Sequence, residues 1–547
     1  MLVLVLLIGL TDVPVSSGAV GTVSAKSKSI PTSVRAKSTR AKKSSTPASG
    51  RLALPAKTTT TTATTTATTT ATTSPSVTIP SVTIPSVTLT TLPGSVAGTT
   101  VPSSVPSVTI VPRLPTGPGA RVPPEANVIL PPAPAVGTTI AHRPLDPAAN
   151  LPGDLTPQEY VDVVLGWTES LSVRRRAVDL PELRARVEAV TASATTTAQT
   201  YQALSAYLAL LGDGHSALYT PNEARSLLEG RARGFGFSLL GGYTFPFPGS
   251  PAEQAGLRDR DRLVAVNGAP FVVGTTRLSS APDTSIFDLI RTDPTTAAES
   301  TVSITVTRGE INTSLKPKVR RLSDPAGSDT RIGVVDLPGA TGSGADEKLF
   351  VQQGLDGIRE VDASPRCGWI LDLRRNSGGF GTTMLAGVAP LYGEGIFAGL
   401  IDSQERVQWM SIKGASVLLD GRVQATGSTA VKLANPSAPI AVLTGPVTAS
   451  AGELAVVGLA GRPGVRVFGE PTVGVTSGNL GRSYPDGSFV AVTNVYDVDR
   501  LGRVYDGPLQ PDQPVRNDWR TFGLTSDPVI AAASTWLKAQ PACSVNP

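Results

Sequence analysis

The hydrophobic and polar positions of the 547-residue chain divide it into a long polar part and a patterned part, which meet near residue 150. Residues 22–124 consist mainly of Ser, Thr, Pro, Ala and Lys, and the pentapeptide Pro-Ser-Val-Thr-Ile/Leu begins at residues 75, 80, 85 and 106. This composition cannot bury a core, and regularly spaced proline favours an extended chain. We therefore predict a low-complexity linker over residues 22–149, first basic and then rich in Thr, Pro and Ser.

An apolar run, Met1–Leu10, precedes the linker and is followed by the small residues Ser16–Ala19. This order is typical of a secretory signal, and about ten apolar residues are too few to span a bilayer. Residues 1–21 therefore predict export to the cell envelope or beyond, with no integral membrane domain after this segment. The basic part of the linker offers a contact for an anionic envelope polymer, with a merely solvated linker as the alternative.

From residue 150 the apolar positions first follow a helical period. A typical helix start is found at Thr156-Pro157-Gln158-Glu159. The Thr side chain can cap the first turn, Pro is well tolerated at the first helical position, and the Glu side chain can accept a hydrogen bond from the Thr backbone N–H. A second helix is predicted over 179–192, and a third from about residue 197 to Gly212. Residues 150–229 thus predict a small helical domain, which ends its third helix in the polar turn Gly212–Ser216 containing His215.

Short strands and turns replace this pattern in residues 230–325. In order, the chain contains Gly234-Phe235-Gly236-Phe237, Gly249-Ser-Pro-Ala-Glu-Gln-Ala-Gly-Leu257, Asp261–Gly268 and an alternating strand at 302–308. The ordered set closely resembles a PDZ domain. The resemblance implies that the Gly-Phe loop, Gly234 to Phe237, offers backbone N–H groups to a peptide's terminal carboxylate, while the next strand edge accepts the peptide as an added strand.

Residues 326–547 alternate between buried strands and helices, which is typical of an α/β core. The apolar strands are predicted at 332–337, 369–373, 440–443 and 465–468. Asp527-Pro528 then begins a closing amphipathic helix that extends to about Leu537.

Charge and rare residues exclude several functional classes. The net charge is +5, but residues 1–124 carry +10 and the remainder −5, so a nucleic-acid enzyme with a basic working face is disfavoured. Two histidines and two widely separated cysteines form neither a His-rich zinc site nor a CxxC pair. We predict no metal, no organic cofactor and no nucleic-acid partner.

Two turns that follow predicted strands carry candidate chemistry. One contains Gly378-Gly379, which allows backbone N–H groups to point at an incoming oxygen, although a purely structural turn has the same sequence. The other places Ser450 at a helix start, three residues before Glu453. Ser450 is either a helix cap in a Ser-x-x-Glu box or a nucleophile whose oxyanion meets helix N-terminal amides.

A set of motifs in a fixed order decides between these interpretations. Over about residues 150–540 the chain resembles the C-terminal processing peptidases, or tail-specific proteases. The resemblance implies a serine endopeptidase with a crotonase- or ClpP-like α/β core, an N-terminal helical domain and an inserted PDZ domain. It assigns Ser450 as the nucleophile and the amides of Gly378 and Ala451 as the oxyanion hole. Besides the PDZ block, the motifs are Asp213-Gly-His-Ser, Leu371-Asp-Leu-Arg-Arg-Asn-Ser-Gly-Gly, Thr448-Ala-Ser-Ala-Gly-Glu, Gly469-Glu-Pro-Thr-Val-Gly and Pro485-Asp-Gly-Ser.

The lysine base of the processing branch is absent. That branch has lysine after the last Gly of its Gly-Glu-Lys/Pro-Thr-x-Gly motif, whereas this chain has Val475, and the supporting glutamine four positions later is Asn479. His215 fits the vacant role, as in the tricorn-type and nisin-resistance-type branches, which use a Ser/His pair. An imidazole with its ordinary pKa of about 6.5 is neutral at pH 7 without burial. The alternative for His215 is a local turn residue.

Four further assignments concern an acid, a helix cap, the two cysteines and the second histidine. Asp506 lies near the place of the distant acid in the tricorn branch and is a candidate to orient His215, with a turn aspartate as the alternative. Glu453 is expected to cap its helix. Cys367 and Cys543 either form a disulfide in an exported protein or remain two thiols. His142 is expected to be incidental.

The leading hypothesis is an exported serine endopeptidase that cleaves unfolded polypeptide tails with free C-termini held by the PDZ domain. The alternative is a catalytically inactive homologue that binds peptides or a partner in the envelope, which the missing lysine favours. A narrower option is resistance to a peptide antibiotic, although the nisin-resistance-type branch generally lacks a PDZ domain.

Overall fold

The computed structural model describes residues 151–293 and 296–544. The predicted signal-like segment 1–21, the predicted linker 22–149 and His142 lie outside the described residues. Within the described part of the chain, no helix has both the length and the apolar content that a bilayer span requires.

Helices dominate the first described region, as predicted. Thr156 caps the first one: Glu159 N–H donates to Thr156 Oγ1 at 3.2 Å, and Thr156 N–H donates to Glu159 Oε2 at 2.9 Å. The third predicted helix begins as a 3-10 turn at Thr197–Thr200. The region contains α1 (Pro157–Leu171), α2 (Leu180–Thr191), α3 (Tyr201–Leu210), β1 (Ala217–Tyr219) and α4 (Pro221–Glu229). The helix α4 is not among the predicted ones, although it follows Thr220 with the same Thr-Pro-x-Glu start as α1.

An antiparallel sheet occupies the region that resembles a PDZ domain. Its elements are β2 (Arg231–Gly234), β3 (Phe237–Leu240), β4 (Tyr243–Pro246), α5 (Pro251–Gln254), β5 (Arg262–Val266), β6 (Ala269–Pro270), β7 (Thr284–Thr292), β8 (Glu299–Thr307) and β9 (Gly309–Asn312). The strands β3, β4, β5, β7 and β8 pair in that order, while β2 pairs with β9. No described strand pairs with the outer side of β3, which is therefore an edge.

The remaining residues form the expected α/β core. Its elements are β10 (Lys318–Ser323), β11 (Asp329–Asp336), α6 (Ala345–Asp362), β12 (Gly368–Asp372), α7 (Gly381–Gly387), α8 (Ala389–Tyr392), β13 (Gly395–Asp402), β14 (Val407–Lys413), β15 (Ser416–Leu419), β16 (Arg422–Thr426), β17 (Ile440–Thr444), α9 (Ala451–Val457), β18 (Val465–Gly469), β19 (Ser477–Ser483), β20 (Phe489–Asp499), β21 (Gln513–Pro514), α10 (Pro528–Lys538) and α11 (Pro541–Ser544). The predicted strands β11, β12, β17 and β18 and the closing helix α10 are confirmed, with ends that differ from the predicted ones by at most three residues.

Two sheets and the helices between them make up this core. The strands β11, β12, β17, β18 and β21 are parallel neighbours, with β10 antiparallel at the edge. The second sheet pairs β1, β20, β13, β14, β15 and β16, with β19 added to β20. Side chains of α6, α7 and α9 are buried between the sheets, and α10 packs on the other face of the parallel sheet.

This topology determines where the candidate residues meet. The strands β12 and β17 are adjacent and parallel, with Trp369 opposite Ile440 and Asp372 opposite Leu443. Their carboxyl ends therefore lie at the same edge of the sheet, where ligand and active sites of α/β folds usually occur. The turn with Gly378 follows β12, and the turn with Ser450 follows β17.

Candidate active site

Ser450 lies at the junction between a buried strand and a buried helix. It directly precedes α9 and has φ 54° and ψ −122°, a backbone conformation that costs a non-glycine residue about 1–3 kcal/mol. Its side chain is fully buried. Strained backbone of this kind persists where surrounding structure enforces it, and it is concentrated at functional sites.

Ser450 and Glu453 adopt the reciprocal arrangement of a capping box at the start of α9, but the Ser450 hydroxyl makes no capping hydrogen bond. The Glu453 amide donates to the Ser450 carbonyl oxygen at 2.8 Å, and the Ser450 amide donates to Glu453 Oε2 at 2.9 Å. Ser450 Oγ has no hydrogen-bond partner among the described residues. A buried hydroxyl without a partner is costly for stability, so the capping hypothesis leaves this oxygen unexplained.

Glu453 does more than cap α9. Its carboxylate accepts hydrogen bonds from the Thr472 hydroxyl, from Gly474 N–H at 2.8 Å and from Val475 N–H at 2.9 Å, in addition to Ser450 N–H. Burial raises the pKa of Glu453 to about 7, although these four hydrogen bonds act in the opposite direction. One side chain therefore ties the Ser450 turn to the segment that contains Val475.

Asn376 joins the glycine turn to the Ser450 turn. Its carbonyl oxygen accepts from Ala449 N–H at 3.1 Å, and its Nδ2 donates to Leu337 O at 3.0 Å. A Cβ on Gly452 would lie 2.9 Å from both Asn376 oxygens, so the close approach requires glycine. The sequence contained no signal for this role, since Asn376 acts through contacts with residues that are distant along the chain.

The two backbone amides expected in the oxyanion hole, those of Gly378 and Ala451, differ in their hydrogen bonds. Gly378 N–H donates to Asn376 Oδ1 at 2.9 Å, so it is engaged by a local side chain rather than directed at an incoming oxygen. The role of the Gly378 amide in an oxyanion hole stays a prediction. The amides of Ala451 and Gly379 make no hydrogen bond to a described residue. Gly378 and Gly379 have φ values of 99° and 126°, which only glycine adopts readily.

His215 is buried, with 1% of its surface exposed, on the polar turn after α3. Its amide donates to Asp213 Oδ1 at 2.9 Å, and its carbonyl oxygen accepts from Asn479 Nδ2 at 2.9 Å. The Asp-x-His spacing is a turn signal that could have predicted the first bond. Asn479 thus occupies the place of the family glutamine and holds the backbone of the histidine.

Ser477 is a hydrogen-bond partner of His215 Nδ1. Ser477 Oγ lies 2.8 Å from this nitrogen, whereas Asp506 is an exposed residue of the turn after β20. The role of Asp506 in orienting the ring stays a prediction. Ser477 begins β19, and its register is set by long-range strand pairing, which sequence reasoning did not include.

The His215 turn and the Ser450 turn approach the same segment. A Cβ on Gly214 would lie 3.8 Å from Val475 Cγ1, and Ser477 N–H donates to Val475 O at 2.8 Å. Val475 N–H and Ser450 N–H both donate to Glu453 Oε2. Val475, which stands where the processing peptidases have their lysine, therefore contacts both the turn that contains His215 and the acid that binds the Ser450 turn.

The predicted peptide-binding loop lies at the edge of the first antiparallel sheet. Phe235 belongs to the buried core of this sheet, with its ring 4.9 Å from that of Phe287 and Arg308 4.2 Å above it. Gly236 has φ 91°, and a Cβ there would lie 2.3 Å from Ser250 Cβ. The amides of Phe235 and Gly236 donate to no acceptor among the described residues.

The same sheet contacts the core beside the glycine turn. Leu240, Phe245 and Trp519 form a buried cluster. The Arg375 guanidinium lies 4.5 Å above the Phe245 ring, and Arg375 directly precedes Asn376. An aromatic contact therefore links β4 to the turn that supplies Gly378.

Comparison with known proteins agrees with these features. Residues 331–515 match the model of peptidase family S41, and residues 247–281 match that of the PDZ domain. The nisin-resistance protein of Lactococcus lactis is 29% identical over 177 residues, which are 32% of this chain and 50% of that protein. The carboxyl-terminal-processing protease of a Picosynechococcus strain is 25% identical over 380 residues, or 65% of this chain and 81% of that protein.

A third relative and one solved structure are also C-terminal processing proteases by name. The chloroplastic carboxyl-terminal-processing peptidase 2 of Arabidopsis thaliana is 26% identical and is covered over 64% of its length, with 61% of this chain aligned. The solved photosystem II D1 C-terminal processing protease aligns with 71% of this chain and 99% of its own, at 21% identity and a TM-score of 0.43. The chain thus contains a region that matches peptidase family S41 and a region that matches a PDZ domain, and the relatives it resembles include carboxyl-terminal-processing proteases.

Proposed function

We propose that this chain is an exported serine endopeptidase of the carboxyl-terminal processing type, in which Ser450 is the nucleophile and His215 the general base. The observation that carries the proposal is the buried Ser450 Oγ, which has no hydrogen-bond partner among the described residues and sits on strained backbone at a helix start. His215 is held beside the same Val475 segment that contacts the Ser450 turn.

The proposed reaction proceeds through an acyl-enzyme. Ser450 Oγ attacks the scissile carbonyl carbon while its proton moves to Nε2 of His215. The C–N bond then breaks, and the leaving amine takes the proton from His215. Water attacks the ester with His215 again as the base, which releases the acid product and regenerates the Ser450 hydroxyl.

Backbone amides stabilise the oxyanion in this proposal. The Ala451 amide lies at the N-terminus of α9 and makes no bond to a described residue, so it is available to a developing negative charge. The Gly378 amide contributes after it leaves Asn376 Oδ1, and this exchange of acceptors is a small turn movement. Since Ser450 and His215 are both buried, substrate entry requires the covering elements to move.

We propose that the PDZ domain holds the C-terminus of an unfolded substrate. The amides of Phe235 and Gly236 are available to a carboxylate, and the outer edge of β3 is available to an added strand. The apolar segment and the Thr/Pro/Ser-rich linker support export, because they match a signal and a spacer in composition. The disulfide between Cys367 and Cys543 also supports an oxidising compartment.

Labelling and cleavage by matched variants test the catalytic pair. We expect the full chain to degrade an unfolded protein and to react with a fluorophosphonate, as detected by intact mass. Ser450→Ala and His215→Ala should each lose cleavage by at least about 10³-fold, because they remove the nucleophile or its base. The controls are Ser437→Ala, at an exposed serine, and His142→Ala, the other histidine of the chain.

Each alternative gives a different result. Folded wild type that neither cleaves unfolded protein nor reacts, also in the presence of free-carboxylate peptides, would favour the inactive peptide-binding homologue. Labelling that is lost in Ser450→Ala but kept in His215→Ala would assign another base. Cleavage of short antibiotic peptides alone would favour the resistance function.

A further inference from the structure

We infer that Ser477 is a positioning residue of the proposed reaction, whose hydroxyl accepts the Nδ1 proton of His215 and thereby leaves Nε2 as the basic nitrogen. The inference rests on the proposed function and deepens it. Ser477 Oγ lies 2.8 Å from His215 Nδ1 although the residues are 262 positions apart. Both side chains are buried, with 4% and 1% of their surface exposed.

The backbone of His215 is held independently of this contact. Asp213 accepts from the His215 amide, and Asn479 donates to its carbonyl oxygen. Asp213 also accepts from Ser216 N–H at 2.7 Å, which closes the turn. With the main chain restrained on both sides, the remaining variables are the side-chain torsions and the tautomer of the ring. These are the properties that a bond to Nδ1 controls.

A neutral imidazole has one N–H donor and one acceptor nitrogen. A base at Nε2 needs its proton on Nδ1, and the group facing Nδ1 must therefore accept a hydrogen bond. In the Ser-His-Asp arrangement a carboxylate does this, and it selects the tautomer and stabilises the imidazolium. A serine hydroxyl can accept a hydrogen bond from Nδ1–H or donate one to a bare Nδ1, so it favours the Nδ1–H tautomer only when its own proton points away from the ring, and it adds no full negative charge.

The position of Ser477 is coupled to the nucleophile. Ser477 N–H donates to Val475 O, Val475 N–H donates to Glu453 Oε2, and Glu453 also accepts from Ser450 N–H. The strand β19 is held in register by pairing with β20, which places Ser477 opposite Tyr496. The segment from Val475 to Ser477 thus contains the hydroxyl that bonds His215, and it is also bonded to Glu453, which holds the Ser450 turn.

The tautomer of His215 can be measured directly because the chain has two histidines. We propose imidazole ¹⁵N NMR of the full chain with labelled histidine, in which the signals are assigned by His142→Gln. Wild-type His215 should carry its proton on Nδ1 at a pH where the ring is neutral. Ser477→Ala should populate the Nε2–H tautomer, and Ser477→Thr, which keeps the hydroxyl, should restore the wild-type spectrum.

Kinetics provide the second measurement. Ser477→Ala should lower kcat for an unfolded substrate about 10- to 100-fold with little change in KM, which is less than the roughly 10⁴-fold cost of the wrong tautomer in a Ser-His-Asp triad. Ser477→Thr should recover most of kcat. Ser303→Ala removes a serine hydroxyl bonded to Asp288 in the PDZ sheet and serves as the matched control.

An Nε2–H tautomer in the folded wild type would overturn the inference, and so would a Ser477→Ala variant with wild-type tautomer and kcat. These failures are distinct from failure of the proposed function. If Ser450→Ala or His215→Ala retained full cleavage, the catalytic pair itself would be wrong. If both lost cleavage while Ser477→Ala behaved as wild type, only the role of Ser477 would be rejected.

Discussion

At the scale of single residues, two buried acids, Glu453 and Asp497, lie near the Ser450 turn. Glu453 accepts four hydrogen bonds, whereas neither carboxylate oxygen of the nearby Asp497 has a hydrogen-bond partner among the described residues. Burial, and secondarily the charge of Glu453, raises the pKa of Asp497 well above its ordinary value. Burial of a carboxylate without a hydrogen-bond partner therefore favours the protonated, neutral form of Asp497.

The raised pKa of Asp497 predicts a pH dependence of stability. The folded state binds a proton that the unfolded chain releases near pH 4, so the contribution to stability is complete below that pH. It falls as pH rises, by at most about 1.4 kcal/mol per pH unit, until the folded-state pKa is reached. Asp497→Asn keeps the shape and removes the ionisation. We expect the variant to be more stable than wild type near neutral pH, with the advantage disappearing below about pH 4.

Chemical denaturation at a series of pH values measures this difference. The informative quantity is the difference in unfolding free energy between variant and wild type, because the other titrating groups are common to both proteins. A constant difference between pH 4 and 8 would contradict the prediction. Ser437→Ala, at an exposed residue that does not ionise, is the control and should keep the pH profile of wild type.

At the scale of elements, the edge of the PDZ sheet depends on one glycine. Gly236 has a positive φ and no space for a Cβ, since Ser250 Cβ would be 2.3 Å away. Ser250 itself is buried and caps α5, because its hydroxyl accepts from Glu253 N–H. The loop conformation that leaves the Phe235 and Gly236 amides without an acceptor is therefore enforced by packing behind it.

We predict that Gly236→Val abolishes binding of peptides with a free C-terminus. The added side chain must displace Ser250 and with it the loop amides. Fluorescence anisotropy with a labelled peptide that ends in an apolar residue measures the binding, in a Ser450→Ala background that prevents cleavage. Gly274→Val is the matched control, because Gly274 also has a positive φ but nothing within 4 Å of its Cβ position.

Peptide chemistry gives a second check on the same prediction. A C-terminal amide should bind the unmutated PDZ domain at least about tenfold more weakly than the free carboxylate, since it lacks the charge that the loop amides stabilise. Equal binding of both peptides would contradict carboxylate recognition by this loop.

At the scale of the whole molecule, an ion pair and a disulfide connect the C-terminal helices α10 and α11 to the core. Asp527, the cap of α10, bonds Arg374 at 2.8 Å, and both side chains are fully buried. Cys543 in α11 is bonded to Cys367, immediately before β12, and the disulfide encloses 176 positions of sequence. The strand β12, which leads to the Gly378 turn, is thus bonded near both of its ends to the C-terminal part of the chain.

We predict that the disulfide contributes on the order of 4–5 kcal/mol to stability, because it restricts a long loop in the unfolded chain. Denaturation with and without reductant measures the contribution. The double variant Cys367→Ser/Cys543→Ser should resemble reduced wild type and should not respond to reductant. Equal stability of oxidised and reduced wild type would contradict the prediction.

Local patterns in the sequence were sufficient for much of the fold. The helix starts at Thr156 and Asp527, the buried strands β12 and β17, and the order of the motifs all follow from near neighbours along the chain. The resemblance added Ser450, His215 and the two oxyanion amides as candidates. These assignments concern residue types at short spacings, which a sequence displays directly.

The contacts that arrange the candidate site were decided by tertiary structure alone. Ser477 reaches His215 across 262 positions, and Asn376 and Glu453 bond partners on other elements. Their hydrogen bonds depend on the register of β19 and on the close approach of the turns after β12 and β17. Such geometry results from packing of the whole core, so no local pattern predicts it. The sequence by itself determined the fold class and the chemical groups, and the tertiary structure decided which partner each group has.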